Sequence, residues 1–255
     1  MVEYLVFRLY GPLASWGEIA VGESRQSAVH PTRSALLGLI GAALGVERED
    51  DERQASLATG YRFGIKTVSL GTPLRDYHTV QAPSQQRKVR FHTRRQELVG
   101  AGKLNTLLSS RVYRCDSISL VAVQAMERAP YTVLKLCAAL RHPVFPLYLG
   151  RRSCPLALPV HPQVMTCQTV REALDMTTQR SLMGLLSDSE PDSWPSAADK
   201  RVFNLTAPRY YWDSGMDAGM VASFETVRNN QPLSRRKWQF EPCQVSVFLT
   251  TGDES

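Results

Sequence analysis

Strand-type and helix-type apolar segments alternate through the first 150 residues in an order that few architectures can use. Residues 4–9 (YLVFRL) are apolar, rich in β-forming types and closed by Gly11-Pro12, which reads as a buried first strand. Thr32 can cap a helix, and Leu36, Leu37, Leu39, Ile40, Ala43 and Leu44 follow at helical spacing until Gly45. Gly38 and Gly41 cost that helix about 1 kcal/mol each relative to Ala, which points to close packing against a sheet. Residues 61–70 and 117–125 read as strands, 129–140 as a second amphipathic helix, and Leu147–Leu149 as a short fourth strand among prolines. Strand, helix, strand, strand, helix, strand is the order of a ferredoxin-like (RRM-like) domain, an α+β fold. Many RNA-binding modules share that layout, but fold alone does not give function.

The middle connection is not routine. Forty-six residues lie between the second and third strands, and a connection of that length inside a compact domain is usually functional. From Arg75 to Arg114 there are nine basic and two acidic residues, a charge of +7 in a chain whose total is +6. Excess charge concentrated in one stretch points to a polyanionic partner. The segment is expected to project as a hairpin or arm, ordered in part only when bound. Within it, Arg87, Lys88, Arg90, Arg94 and Arg95 surround Phe91 and His92. Guanidinium groups suit phosphates and aromatic rings suit unstacked bases, so single-stranded nucleic acid fits; a solvated charged loop is the plain alternative.

Residues 11–31 form a long Gly- and Ser-containing loop in which Trp16 could stack on a base or plug the core. Gly150-Arg151-Arg152-Ser153 could present donors to a phosphate or simply turn the chain. His78 beside Tyr77 and Arg75 could serve metal-free RNA cleavage, or pack at the base of the arm. The charged run 47–53 reads as a solvated helix end. After residue 160 a helix at 169–176, a surface loop at 184–201 and strands at 202–206, 218–227 and 243–250 are expected. No linker separates this part, so residues 1–255 read as one domain with a thumb insertion at about 75–114 and a β-rich C-terminal extension at about 160–255.

Five scattered cysteines without a C-x-x-C pair read as reduced, packed thiols. No phosphate loop, metal-ligand spacing or nucleophile elbow occurs, so neither a cofactor nor a metal is expected. The longest apolar run, Ala35 to Val46, has 12 residues, short of the ~20 a membrane span needs, so a soluble cytoplasmic protein is expected and no membrane partner.

Five blocks in order then identify the sequence as similar to a known family. They are Gly11-Pro12-Leu13-Ala14-Ser15-Trp16-Gly17; Pro31-Thr32-Arg33-Ser34 with Leu36-Leu37-Gly38-Leu39 and Gly41-Ala42; Leu74-Arg75-Asp76-Tyr77-His78-Thr79-Val80; Arg111, Tyr113 and Cys115-Asp116; and Tyr148-Leu149-Gly150-Arg151-Arg152-Ser153-Cys154-Pro155-Leu156. They resemble the CasD family of type I-E CRISPR Cascade complexes, within the repeat-associated RNA-binding superfamily. The resemblance implies a non-catalytic subunit that grips the 5′ handle of the CRISPR guide RNA. It also implies contact with the Cascade backbone subunits and with the large PAM-recognising subunit, and through them indirectly with target DNA. Sequence in such complexes is read by base pairing while protein holds backbone and shape. Carried over by residue, Arg75, Tyr77, His78 and Thr79 sit at the thumb base and Arg111 returns from it toward RNA. The loop from Trp16 to Arg25, with Arg33 and Ser34, lies along the handle, and Arg151 and Arg152 complete the cradle. Some relatives in other subtypes cleave repeat RNA themselves, so a metal-independent endoribonuclease is the alternative.

Overall fold

The structure, a computed structural model, describes residues 1–17, 20, 22–83, 90–100, 104–177, 203, 205–234, 237 and 239–250. In chain order the elements begin with β1 (Val2–Tyr10), then four two-residue strands in the long loop: β2 (Leu13–Ala14), β3 (Trp16–Gly17), β4 (Ser24–Arg25) and β5 (Ser27–Ala28). Helices α1 (Arg33–Ala43) and α2 (Asp51–Gly60) lead to β6 (Tyr61–Ser69), β7 (Thr72–Pro83), α3 (Arg94–Gly100), β8 (Leu104–Cys115) and β9 (Ile118–Ala125). There follow α4 (Val133–Arg141), β10 (Gln163–Cys167), α5 (Val170–Asp175), β11 (Arg209–Asp213), β12 (Phe224–Ser234) and β13 (Gln239–Leu249).

Seven strands join one sheet in the order β10-β1-β9-β6-β11-β13-β12, each pair antiparallel. The first two-thirds of the chain supply β10, β1, β9 and β6, so these four strands lie side by side as fourth, first, third, second. β1 is buried on both sides, and its period of two divides its residues between two cores. Leu5, Phe7 and Leu9 meet Leu36, Leu37 and Ile40 of α1 and Leu136 and Leu140 of α4. Tyr4 and Val6 meet Val170, Ala173 and Leu174 of α5, together with Trp212 and Met216. Each fully buried Leu or Ile there contributes roughly 1.5–3 kcal/mol. No described helix is long and apolar enough to cross a membrane.

Several local expectations change. The fourth strand is β10, not Leu147–Leu149, where Tyr148 makes only an isolated bridge to Pro155. Five prolines between 143 and 162 remove backbone donors, and this stretch reaches the edge of β1 through single bonds, Arg8 N to Val160 O at 2.8 Å and Ala157 N to Tyr10 O at 3.1 Å. The acidic run does not end a helix; it begins α2. Asp50 caps it by accepting from Arg53 N at 3.1 Å, and Asp51 and Glu52 stand in the first turn, where the helix dipole favours them. Gly41 faces Leu57 and Gln54 of α2 at ordinary contact distance instead of the sheet. In the C-terminal part, β11 is an added strand between β6 and β13, while β12 starts at Phe224 and β13 at Gln239. Phe203 and residues 205–206 lie outside any strand, and the loop expected at 184–201 lies outside the described residues. The five cysteines are free thiols, three of them buried.

His30, just before α1, is buried and stacks on Tyr211 with ring centroids 3.9 Å apart. Its Nδ1 donates to Pro31 O at 2.8 Å. Burial, reinforced by the positive charge of Arg228, pushes its pKa down to about 3. The unfolded chain therefore takes the proton first, below the ordinary value near 6.5, and stability present above pH 6.5 is lost as pH falls toward 3. Between pH 7.5 and pH 5 this group should cost about 2 kcal/mol. Urea unfolding at the two pH values is expected to show that slope in the wild type and to lose it in His30→Gln.

Candidate nucleic-acid interface

The basic segment forms an antiparallel hairpin. β7 and β8 pair without a break from Thr72↔Cys115 to Pro83↔Leu104, and α3 lies at the far end. Strand alternation sorts the site residues between the two faces. Arg75, Tyr77 and Thr79 share one face; Asp76, His78 and Arg111 share the other, since Asp76 is the register partner of Arg111. Arg75 Nε donates to Ser110 Oγ at 2.8 Å, and Tyr77 is 59% exposed. His78 pairs with Asp76 along its own strand. Tyr77 and His78 therefore point to opposite sides and do not converge on one point.

A second strand edge adds charge to the His78 face. β4 runs parallel to β8 with Arg25 beside Arg111. Asp76, Arg111 and Arg25 thus stand in a row across three strands. Two like charges in register repel, so the arrangement favours an anion bound across them. Arg25 is held by an N–H bond from its guanidinium to Ala20 O at 2.5 Å.

Farther out, Arg90 and Arg95 are exposed. Arg94 is spent on the tip, bonded to Glu97 at 2.5 Å and to Gln81 O. Arg87 and Lys88 lie outside the described residues.

Arg25, Ser34 and Arg151 come together on a cleft of about 670 Å³, between the loop after β1, the first turn of α1 and the 148–151 turn. Arg151 lies over the Tyr113 ring at 5.5 Å from its centroid, a cation–π contact that fixes the guanidinium. Arg152 is exposed on the outside of the same turn. The turn depends on Gly150, which has φ +82°, and a Cβ there would stand 2.0 Å from the Ser15 carbonyl oxygen. Gly150→Ala is expected to cost about 1–3 kcal/mol in chemical unfolding and to move Arg151 off Tyr113.

Two expected contact residues are placed elsewhere. Trp16 is 3% exposed and belongs to the core, with its backbone N donating to Ser27 Oγ at 3.0 Å, so of its two readings the plug fits. Arg33 turns inward from the start of α1. Its guanidinium bonds Asp213 and Gln231, and donates to Ala58 O at 2.9 Å and Tyr61 O at 2.8 Å. Burial pushes the Asp213 carboxyl up, against the pull of Arg33 and of the Phe63 N–H. An arginine with these partners clamps α1, α2, β6, β11 and β12 and has no fork left for RNA. Residues that carried no motif line the cleft as well: Asn229, Asn230 and Phe240 reach it from the C-terminal hairpin. Only the long-range pairing of β12 with β13 and of β13 with β11 brings them there.

Comparison with known proteins agrees with this architecture. Residues 4–246 match the family described as CRISPR-associated protein (Cas_Cas5). The chain is 35% identical over 176 residues to "CRISPR system Cascade subunit CasD" of Escherichia coli (strain K12), a match covering 66% of this chain and 73% of that protein. A solved structure named "CRISPR RNA-guided surveillance complex" superposes with a TM-score of 0.61 at 23% identity, covering 97% of this chain and 90% of the other. Another, "Crystal structure of Cas protein", gives 0.59 at 21%, covering 96% and 94%. At those identities the two structures speak to the mixed α and β fold alone. With nearly its whole length matched by the family, and with more than a third of aligned positions shared with a curated member, this chain belongs to the CRISPR-associated protein (Cas_Cas5) family.

Proposed function

We propose that this protein is a non-catalytic subunit of a type I-E Cascade effector, binding the 5′ handle of the CRISPR guide RNA in antiviral defence. It would meet the backbone subunits and the large PAM-recognising subunit beside that handle. The observation that carries the reading is the Arg25–Arg111 pair held in register next to a cleft flanked by Arg151. The strand order fourth, first, third, second supports a ferredoxin-like unit within residues 2–167. RRM modules stack bases on one open face of such a sheet. Here one face is covered by α1 and α4, and the other by α5 and the residues around Trp212. That leaves the hairpin and the cleft beside α1 as the surfaces where RNA can be held.

The opposed directions of Tyr77 and His78 favour holding RNA over cutting it. Anisotropy with a guide RNA should show binding at least 10-fold weaker once the 5′ handle is removed, and weakening steeply with salt because phosphate contacts dominate. Repeat RNA incubated in EDTA with excess protein should stay intact. Specific cleavage that His78→Ala abolishes would overturn the non-catalytic reading in favour of a metal-independent endoribonuclease.

A further inference from the structure

The cleft offers more than charge. Its wall on one side is the C-terminal hairpin, where the pairing of β12 with β13 slips between Asn229 and Gln231, leaving Asn230 as an extra residue. Such bulges re-aim side chains and are enriched beside functional sites. Asn230 is 5% exposed, and its Oδ1 accepts from Cys243 Sγ at 2.9 Å, which fixes the orientation of that amide. Asn229 beside it is exposed on the cleft.

On another side Gly38, Leu39 and Ala42 of α1 contribute a small, apolar surface. Two aromatic residues, Tyr148 and Phe240, also line the space. Arg25 and Arg151 supply positive charge, the first turn of α1 adds the positive end of a helix dipole, and no acidic residue lines the cleft among the described residues. The volume of about 670 Å³ lies within the range of small-ligand sites. An apolar shelf, aromatic rings, amides that can pair with a base edge and two guanidinium groups together match a single unstacked nucleotide.

We infer that this cleft takes one splayed-out nucleotide of the bound RNA, and that Asn229 and Phe240 make binding depend on the base at that position. The inference rests on the RNA-binding reading above, and it adds a specificity element from a part of the chain that carries no recognisable motif. Arg25 and Arg151 hold the phosphates, Phe240 flanks the base, and Asn229 reads its edge.

The test is a scan of guide RNAs carrying every single-base change in the handle, with anisotropy as the readout. One position is expected to show a penalty of about 10-fold or more for the wrong base. Asn229→Ala should flatten the profile at that position to under threefold and leave the profile elsewhere unchanged. In the wild-type complex, 2-aminopurine at that position should change fluorescence more than at its neighbours, and Phe240→Ala should remove the difference. Tight binding with a flat profile at every position would overturn the inference while leaving RNA binding intact. Absence of binding to any guide RNA would instead remove the reading on which it rests.

Discussion

Arg33→Ala should destabilise the protein by about 3–5 kcal/mol, the usual cost of breaking a buried ion pair from one side. The side chains of Arg33 and Asp213 are only 11% and 13% exposed. Removing the guanidinium leaves a buried carboxylate facing Phe63 N–H alone, and strips partners from Gln231 and from the carbonyls of Ala58 and Tyr61. The guanidinium also lies 5.2 Å from the centroid of the Phe63 ring, so packing is lost with charge. Urea denaturation measures the loss directly. Arg33→Ala with Asp213→Asn should recover part of it, because the second change removes the orphaned charge. RNA affinity measured on the folded fraction of Arg33→Ala should match the wild type. A tenfold fall in that affinity at unchanged stability would instead put Arg33 on the RNA.

Much of the framework was legible because it rests on local signals. The buried run of β1, the Thr32 cap and the apolar stripe of α1 each show within a dozen residues, and Thr32 Oγ1 does accept from Ala35 N at 3.3 Å. The hairpin was legible from charge and length. What escaped depends on tertiary context. Arg33 stands in a family block beside Ser34, yet one side chain turns to Asp213, 180 residues away, and the other lies on the cleft. No period distinguishes the two. Asn230 enters the cleft through a slip in strand register, which leaves no mark in composition. Tyr148-Leu149 reads as a strand because it has strand-type residues, while the prolines around it remove the donors a ladder needs, and the fourth strand forms at β10.

The surface cations should behave in the opposite way to Arg33. Replacing Arg25, Arg111 and Arg151 together with Ala should weaken guide-RNA binding by about 100- to 1,000-fold, taking each charge-assisted contact at roughly 1.4 kcal/mol or slightly less. The slope of log K against log salt should fall by about 2, at ~0.7 per phosphate contact on a single strand. Stability should not fall in step for Arg111→Ala alone. Arg111 stands in register between Asp76 and Arg25, so that single change removes one attraction and one repulsion of similar size. Affinity lost without stability lost is the signature of residues kept for a ligand. Equal losses in both would mean that the row serves the fold.

The most direct measurement is to purify the protein from its native cells and sequence the RNA that accompanies it. Short RNAs that share one constant 5′ sequence are the predicted result, since a subunit gripping the handle retains that end whatever the guide beyond it. Random RNA fragments, or a protein free of RNA, would contradict handle binding and leave the family's fold without the proposed task.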